Sequence, residues 1–285
     1  MTTHPFSQVD VFTSEPMYGN PVAVVHDADG LSDDQMAAFA RWTNLSETTF
    51  LLSPTAAEAD YRLRIFTPGG ELPFAGHPTL GSCHAWIERA AATGAPVPTD
   101  GTVVQECEAG LIRIAKVDGR LAFTAPPLVR SGRVADNLLS EIAAALGLQP
   151  AEILDANWVD NGPGWLGILV DSAETVLRLT PNSEAMTDRK VGVIGKTGAG
   201  EDYAFEVRAF YHDSLTGLQE DPVTGSLNAS LAQWLIAAGT APTQYIARQG
   251  TVLKRRGRIH VAHDSPDVIW VGGDTVTVVS GTVTL

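Results

Sequence analysis

Short apolar stretches recur along most of the chain, each closed by Gly, Pro, Asn or Asp, which is the pattern of strands. Gln8 to Thr13 alternates, with Val9 and Val11 on one side and Asp10 and Phe12 on the other. Gly19-Asn20-Pro21 marks a turn, and Val22 to Val25 follows as a buried strand. Ser32-x-x-Gln35 reads as a capping box that opens a helix running to about Thr43, with Met36, Phe39 and Ala40 on its apolar face. Thr48 to Leu52 and Tyr61 to Phe66 read as strands. The Gly- and Pro-rich segment Pro68 to Pro78 reads as a loop, followed by a helix over 79–92 that Gly94 and Pro96 end. Leu111 to Ala115 and Arg120 to Thr124 read as a hairpin joined through Asp118-Gly119.

The second half repeats this order. Trp165 to Val170 follows Gly162-Pro163 as Val22 to Val25 follows Asn20-Pro21. Phe205 to Phe210 reads as a strand, Ser226 to Ala238 as a helix stopped by Gly239, and Gly250 to Val261 as the matching hairpin. Val268 to Leu285 adds Val- and Thr-rich strands, the last of them able to return to the first half.

Beneath this pattern lies a duplication without gaps. Arg64-x-Phe66, then His77-Pro78-x-x-Gly81-Ser82-x-x-Ala85, recurs as Arg208-x-Phe210, then Asp221-Pro222-x-x-Gly225-Ser226-x-x-Ala229, at a constant offset of 144 residues. The period is too long and the copies too few for a solenoid. The expectation is an α+β fold of two pseudo-symmetric domains, 1–128 and 129–285, each a mostly antiparallel sheet wrapped around one long helix. The join is placed near Pro126-Pro127 to Gly132.

Composition narrows the function. With 285 residues, 44% hydrophobic and 18% charged, the chain has the make-up of a soluble globular protein with room for two domains. A net charge of −14 disfavours nucleic acid and anionic membranes as partners. The basic cluster Lys254-Arg255-Arg256 with Arg258 reads as a solvated hairpin turn. The two cysteines, Cys83 and Cys107, have no metal spacing and read as reduced thiols of a cytoplasmic protein. No secretory signal and no membrane-spanning run is expected.

The repeat differs where it could do chemistry: His77 in one copy, Asp221 in the other. Each lies just before a Gly-Ser pair and an apolar helical run. Glycine allows close backbone approach, and a helix start offers unpaired N–H groups, so two such starts facing one cleft would hold a carboxylate. The plain alternative is an ordinary N-cap. Glu47, between a helix end and a strand and beside Leu45, Phe50 and Leu51, would be a desolvated proton carrier with a raised pKa, or else a surface carboxylate at a strand start. Trp158 and Trp165 fit a flat ligand and core packing equally.

The stretches Gly19-Asn20-Pro21-Val22-Ala23-Val24, Asn44-Leu45-Ser46-Glu47-Thr48-Thr49-Phe50, Glu71-Leu72-Pro73-Phe74-Ala75-Gly76-His77-Pro78-Thr79, Glu220-Asp221-Pro222-Val223-Thr224-Gly225-Ser226 and Arg248-Gln249-Gly250-Thr251 resemble the phenazine-biosynthesis isomerase-like proteins, within the diaminopimelate epimerase-like fold. The resemblance runs from about Val9 to the C-terminus. It implies two halves with an active site between them, no cofactor, no metal, and a homodimer. It also implies roles: Glu47 as the group that moves a proton between carbons of a dihydro-hydroxyanthranilate-like ring, with His77 and Asp221 as its catalytic partners. Gly76, Gly225 and Ser226, together with Asn20 and Ser46, are the implied substrate-binding residues. Some relatives of this fold use one cysteine per half; the aligned places here are Leu80 and Thr224, which disfavours two-thiol racemisation.

The expected activity is a cofactor-free isomerase of a small cyclic amino-carboxylate. An epimerase or racemase of an amino-acid-like substrate, and a non-catalytic carboxylate-binding protein, stay open as alternatives.

Overall fold

The computed structural model describes residues 1–182, 186–213, 217–265 and 268–285. Its elements in chain order are β1 (Thr3–Val11), β2 (Asn20–Val25), α1 (Asp33–Thr43), β3 (Glu47–Leu52), β4 (Tyr61–Thr67), β5 (Gly70–Leu72), α2 (Gly76–Thr93), β6 (Thr102–Cys107), β7 (Gly110–Val117) and β8 (Arg120–Thr124). Then follow β9 (Arg130–Arg133), α3 (Asp136–Leu146), β10 (Ile153–Asp160), β11 (Trp165–Val170), α4 (Ala173–Leu177), β12 (Lys190–Lys196), β13 (Phe205–Asp213), β14 (Gly217–Asp221), α5 (Gly225–Ala237), β15 (Gln244–Gln249), β16 (Gly257–Ser265), β17 (Val268–Gly273) and β18 (Thr275–Thr284). The chain divides into two compact units, Met1–Thr124 with Gly272–Leu285, and Ala125–Val271.

Strands of the first unit pair in the order β18–β1–β2–β3–β4–β6–β7–β8. All steps are antiparallel except β2/β3 and β4/β6. The C-terminal strand β18 runs along β1, with Thr3 opposite Thr284. In the second unit the order is β9–β10–β11–β12–β13–β15–β16, with parallel steps at β11/β12 and β13/β15. The parallel steps thus fall at equivalent places in both copies. Parallel neighbours need a crossover, usually a helix. Here α1 and α4 serve the first step of each copy, and α2 and α5 the second.

Those crossovers put helices on both sheet faces. In the first unit α2 touches β1, β2, β3, β4, β6, β8 and β18, so the sheet curls around it. The helix allows this because its buried residues include the small Gly76, Gly81, Ser82, Cys83 and Ala85. On the other face, Met36, Phe39 and Ala40 of α1 pack with Val25, Phe50, Leu52 and Phe66. The second unit is built alike: α5 touches β10 and β16, while Ile142 and Leu146 of α3 and Val176 of α4 pack with Ile168, Val191 and Phe210.

The repeated Arg-x-Phe motif has a structural role in this arrangement. Arg64 clamps Glu71 through two hydrogen bonds of 2.7 and 2.6 Å, reaches Asp33 at the start of α1, and lies over the Phe66 ring. Arg208 clamps Glu220 at 2.9 and 2.7 Å, lies over Phe210, and donates to the carbonyls of Val176 and Leu179. Arg208 is buried, so losing Glu220 would strand a charge and cost about 3–5 kcal/mol. The more exposed Arg64 pair is worth about 1 kcal/mol or less.

The α+β class and the wrapped-sheet architecture agree with the sequence reading, as does the capping box at Ser32, where both reciprocal hydrogen bonds form. Four readings are corrected. The segment up to Pro78 is not all loop, because α2 begins at Gly76 and holds His77 and Pro78 in its first turn. Proline fits there because first-turn N–H groups have no partner within the helix. Helix α5 likewise begins at Gly225 rather than Ser226. Phe12 lies outside β1, in a left-handed conformation with φ 66°. The last hairpin has its outer strand at Gly257–Ser265, with a turn over 251–254 before it. Helix α3 had no sequence counterpart in the other copy and was not anticipated.

Gly81 tests the close approach. In a free helix Gly81→Ala would stabilise by about 1 kcal/mol. Here the added Cβ would fall 2.4 Å from Val22 Cγ1 and 3.0 Å from Val11 Cγ2, both on stiff buried side chains. Overpacking of that kind costs about 1–3 kcal/mol. Gly81→Ala is therefore expected to lower the midpoint of urea unfolding; a raised midpoint would refute the packing account.

Candidate active site

In the first unit three polar residues from three elements meet. Asn20 begins β2 and is fully buried. Glu47 begins β3, where it stands opposite Val22 of the parallel neighbour. His77 sits in the first turn of α2, 4% exposed. Its Nδ1 lies 3.3 Å from Asn20 Nδ2, and its Nε2 lies 3.3 Å from Glu47 Oε2. Glu47 keeps 14% of its side chain exposed, so the carboxylate sits at the edge of the buried region. Local structure explains the placement. Buried Asp10 of β1 accepts the Gly19 N–H at 3.0 Å, which anchors the turn that delivers Asn20. Helix α2 is capped by Ala75, which makes no side-chain cap bond, so the helix start keeps its N–H groups and partial positive charge beside His77. Gly76 is buried next to His77, and Ser46 is half-buried next to Glu47.

Burial lowers the pKa of His77 from 6.5 to about 3, against a smaller opposing effect of the Pro21 carbonyl. His77 is therefore neutral at physiological pH, and the pair is a carboxylate beside an imidazole rather than two opposite charges. A neutral imidazole has one N–H and one lone pair. It can thus partner a carboxylate by donating, or a carboxylic acid by accepting.

The second unit holds Asp221, Gly225 and Ser226. Asp221 ends β14, and its Oδ2 accepts from Thr224 Oγ1 at 2.6 Å. Thr224 is the N-cap of α5, yet makes no side-chain cap bond because its hydroxyl is turned to Asp221. Gly225 and Ser226 are first-turn residues, so the Gly-Ser pair is not an ordinary cap. Ser226 Oγ accepts from Trp165 Nε1 at 3.1 Å, and its carbonyl accepts from Asn161. Trp165 is 4% exposed and acts as a core residue that holds Ser226. Trp158 is half-buried under the Arg130 guanidinium.

Sequence reasoning gave no role to three buried amides. Gln249 and Asn228 bind the Asp221–Thr224 turn, and Gln105 binds Thr79. The signal was present, since Gln105 and Gln249 also stand 144 residues apart. The cysteines are not suited to acid–base work. Both are free and buried, and burial pushes the Cys83 thiol up to about 12 and raises that of Cys107 as well. Among the described residues no three His, Cys, Asp or Glu side chains group to hold a metal ion, and no helix is long and apolar enough to cross a membrane.

The family model of the phenazine biosynthesis-like proteins matches residues 9–281. The chain belongs to the phenazine biosynthesis-like family. It is 34% identical over 271 residues to trans-2,3-dihydro-3-hydroxyanthranilate isomerase of Pseudomonas aeruginosa, covering 90% of this chain and 89% of the relative. It is 37% identical over 300 residues to antisense-enhancing sequence 1 of Schizosaccharomyces pombe, covering 99% of each. A crystal structure of the Bacillus anthracis phenazine biosynthesis protein superposes with a TM-score of 0.82 at 25% identity over all of both chains. Membership of this family makes the chain an isomerase.

The His77 environment sets a pH signature. Its folded pKa lies below the unfolded 6.5, so the unfolded state takes up the proton first. Stability from this group is complete above about pH 6.5 and is lost as pH falls towards 3. Proton NMR of the ring should show no His77 titration between pH 8 and 5, and a midpoint near 6.5 would refute the buried neutral assignment.

Proposed function

We propose that the chain is a cofactor-independent isomerase that moves a proton between two carbons of a small cyclic amino-carboxylate. The observation that carries this reading is the 3.3 Å contact between Glu47, at the edge of solvent exposure, and a buried His77. The Glu47 carboxylate takes a proton from one substrate carbon and becomes a carboxylic acid. The electron pair left behind spreads into the conjugated ring. The same acid then returns its proton to another carbon, so no atom or electron is gained or lost overall.

Neutral His77 suits this cycle, because it has a donor for the carboxylate and an acceptor for the acid. Its lack of charge also avoids holding Glu47 permanently ionised through an ion pair. The N–H groups at Gly76 stabilise negative charge developing on the substrate. In this reading Asp221, Gly225 and Ser226 of the second copy act on the same substrate, Asp221 by orienting its polar groups and Gly225 and Ser226 by binding its carboxylate. Asn20 and Ser46 complete the set by fixing His77 and by contacting the substrate. The duplicated sequence, with unlike polar residues at matching places, supports that assignment. The name of the Pseudomonas aeruginosa relative makes trans-2,3-dihydro-3-hydroxyanthranilate the first compound to try.

The test is turnover of that compound, followed by a screen of related cyclic amino-carboxylates for proton exchange in deuterated water. Glu47→Gln keeps the shape but cannot carry the proton, and should lower kcat by about 10²- to 10⁴-fold with binding largely intact. His77→Ala should cost less than Glu47→Gln. Cys83→Ala and Cys107→Ala should leave turnover near wild type. Wild-type exchange in Glu47→Gln would show that another group is the base.

A further inference from the structure

Gln249 is fully buried at the end of β15, beside β13. Its Oε1 accepts from the Thr224 N–H at 3.0 Å and from Asn228 Nδ2 at 2.8 Å. Its Nε2 donates to the Asp221 carbonyl at 3.0 Å and to Thr224 Oγ1 at 2.9 Å. These partners leave no freedom in how the amide is oriented. A backbone N–H only donates and a carbonyl only accepts, so the oxygen must face Thr224 N and the nitrogen must face Asp221 O. Thr224 Oγ1 therefore accepts from Gln249. Its single proton is left for Asp221 Oδ2, 2.6 Å away.

The backbone beside Gln249 reinforces the clamp. Gly250 has φ +91°, and a Cβ there would sit 2.6 Å from the Pro222 carbonyl. Asn228, one turn into α5, also donates to the Thr224 carbonyl at 2.9 Å. The first copy repeats the device. Gln105 is fully buried on β6, accepts from Tyr61 Oη at 3.1 Å and donates to Thr79 Oγ1 at 3.1 Å, in the same turn as His77. A glutamine side chain from the equivalent parallel strand thus braces the helix start in each unit, the turn that holds His77 in the first and the segment from Asp221 to the N-cap Thr224 in the second.

We infer that Gln249 is a positioning residue that acts through the Thr224 hydroxyl to aim and hydrogen-bond the Asp221 carboxylate. Its consequence for turnover rests on the proposed role of Asp221; its consequence for the state of that carboxylate does not.

The experiment follows the Asp221 carboxyl carbon by NMR across pH in the full chain, without substrate. A donor to a carboxylate favours the charged form. Thr224→Val should therefore move the Asp221 titration to higher pH, and Thr224→Ser should leave it in place. Gln249→Met should move it in the same direction, and adding Gln249→Met to Thr224→Val should shift it no further. Where Gln249→Met does not fold, Gln249→Asn, which withdraws the amide by one methylene, takes its place. A folded Gln249 variant with an unmoved titration, or shifts that simply add in the double variant, would overturn the inference. In turnover of trans-2,3-dihydro-3-hydroxyanthranilate, Gln249→Met should lower kcat by roughly 10- to 100-fold with a smaller change in KM. Wild-type turnover by Asp221→Asn would instead remove Asp221 from the site, while the titration still decides the role of Gln249.

Discussion

The sheet of the first unit can curl around α2 only because that helix presents little side-chain volume to it. Val22 of β2 and Val11 of β1 occupy the space that a Cβ on Gly81 would need, and Ser82, Cys83 and Ala85 keep the neighbouring surface low. Polar atoms taken inside by this close fit need partners, as where Thr49 Oγ1 meets Ser82 Oγ at 2.9 Å and donates to the Ala23 carbonyl. The same fit draws the first turn of α2 inside the protein. A helix start, normally solvated, becomes a buried positive pole next to the ends of β2 and β3. The chemistry of the unit is set by that burial.

His77 illustrates the consequence. On a surface, an imidazole 3.3 Å from a carboxylate would be drawn towards the charged form. Inside α2's wrapped first turn, removal of the ring from water lowers its pKa to about 3 and holds it neutral. Glu47 stays at the margin, close enough to be oriented and open enough to meet a ligand. In the proposed cycle the arrangement separates the residue that changes protonation, Glu47, from the one that does not, His77. Two cysteines in the same fold are excluded from that work by the same physics, since burial keeps their thiols protonated.

Much of the fold was legible in local signals. The Ser32 capping box, the Met36-Phe39-Ala40 face and the Asp118-Gly119 hairpin all depend on residues a few positions apart, and all appear as read. The errors fall where local composition and tertiary context disagree. Gly76, His77 and Pro78 look like loop, yet a first turn tolerates proline and the surrounding strands supply the packing that holds it helical. Helix α3 lies in a segment without a partner in the repeat, so the strongest sequence signal had nothing to say about it. Gln105 and Gln249 obey the repeat but look like ordinary strand polar residues. Only their burial shows that their hydrogen bonds must be satisfied within the fold.

By itself the sequence determined that there are two copies of one unit, that they differ at His77 and Asp221, and that Glu47 is a carboxylate in an apolar neighbourhood. Those are matters of residue identity and spacing, which need no coordinates. Only the tertiary structure decided that Asn20, Glu47 and His77 meet, because they come from two strands and a helix far apart in the chain. Strand register and the crossover of α2 bring them together, and neither is a property of any short segment. Which protonation state each group holds, and which way the Thr224 hydroxyl points, followed in turn from burial and from the partners that burial leaves within reach.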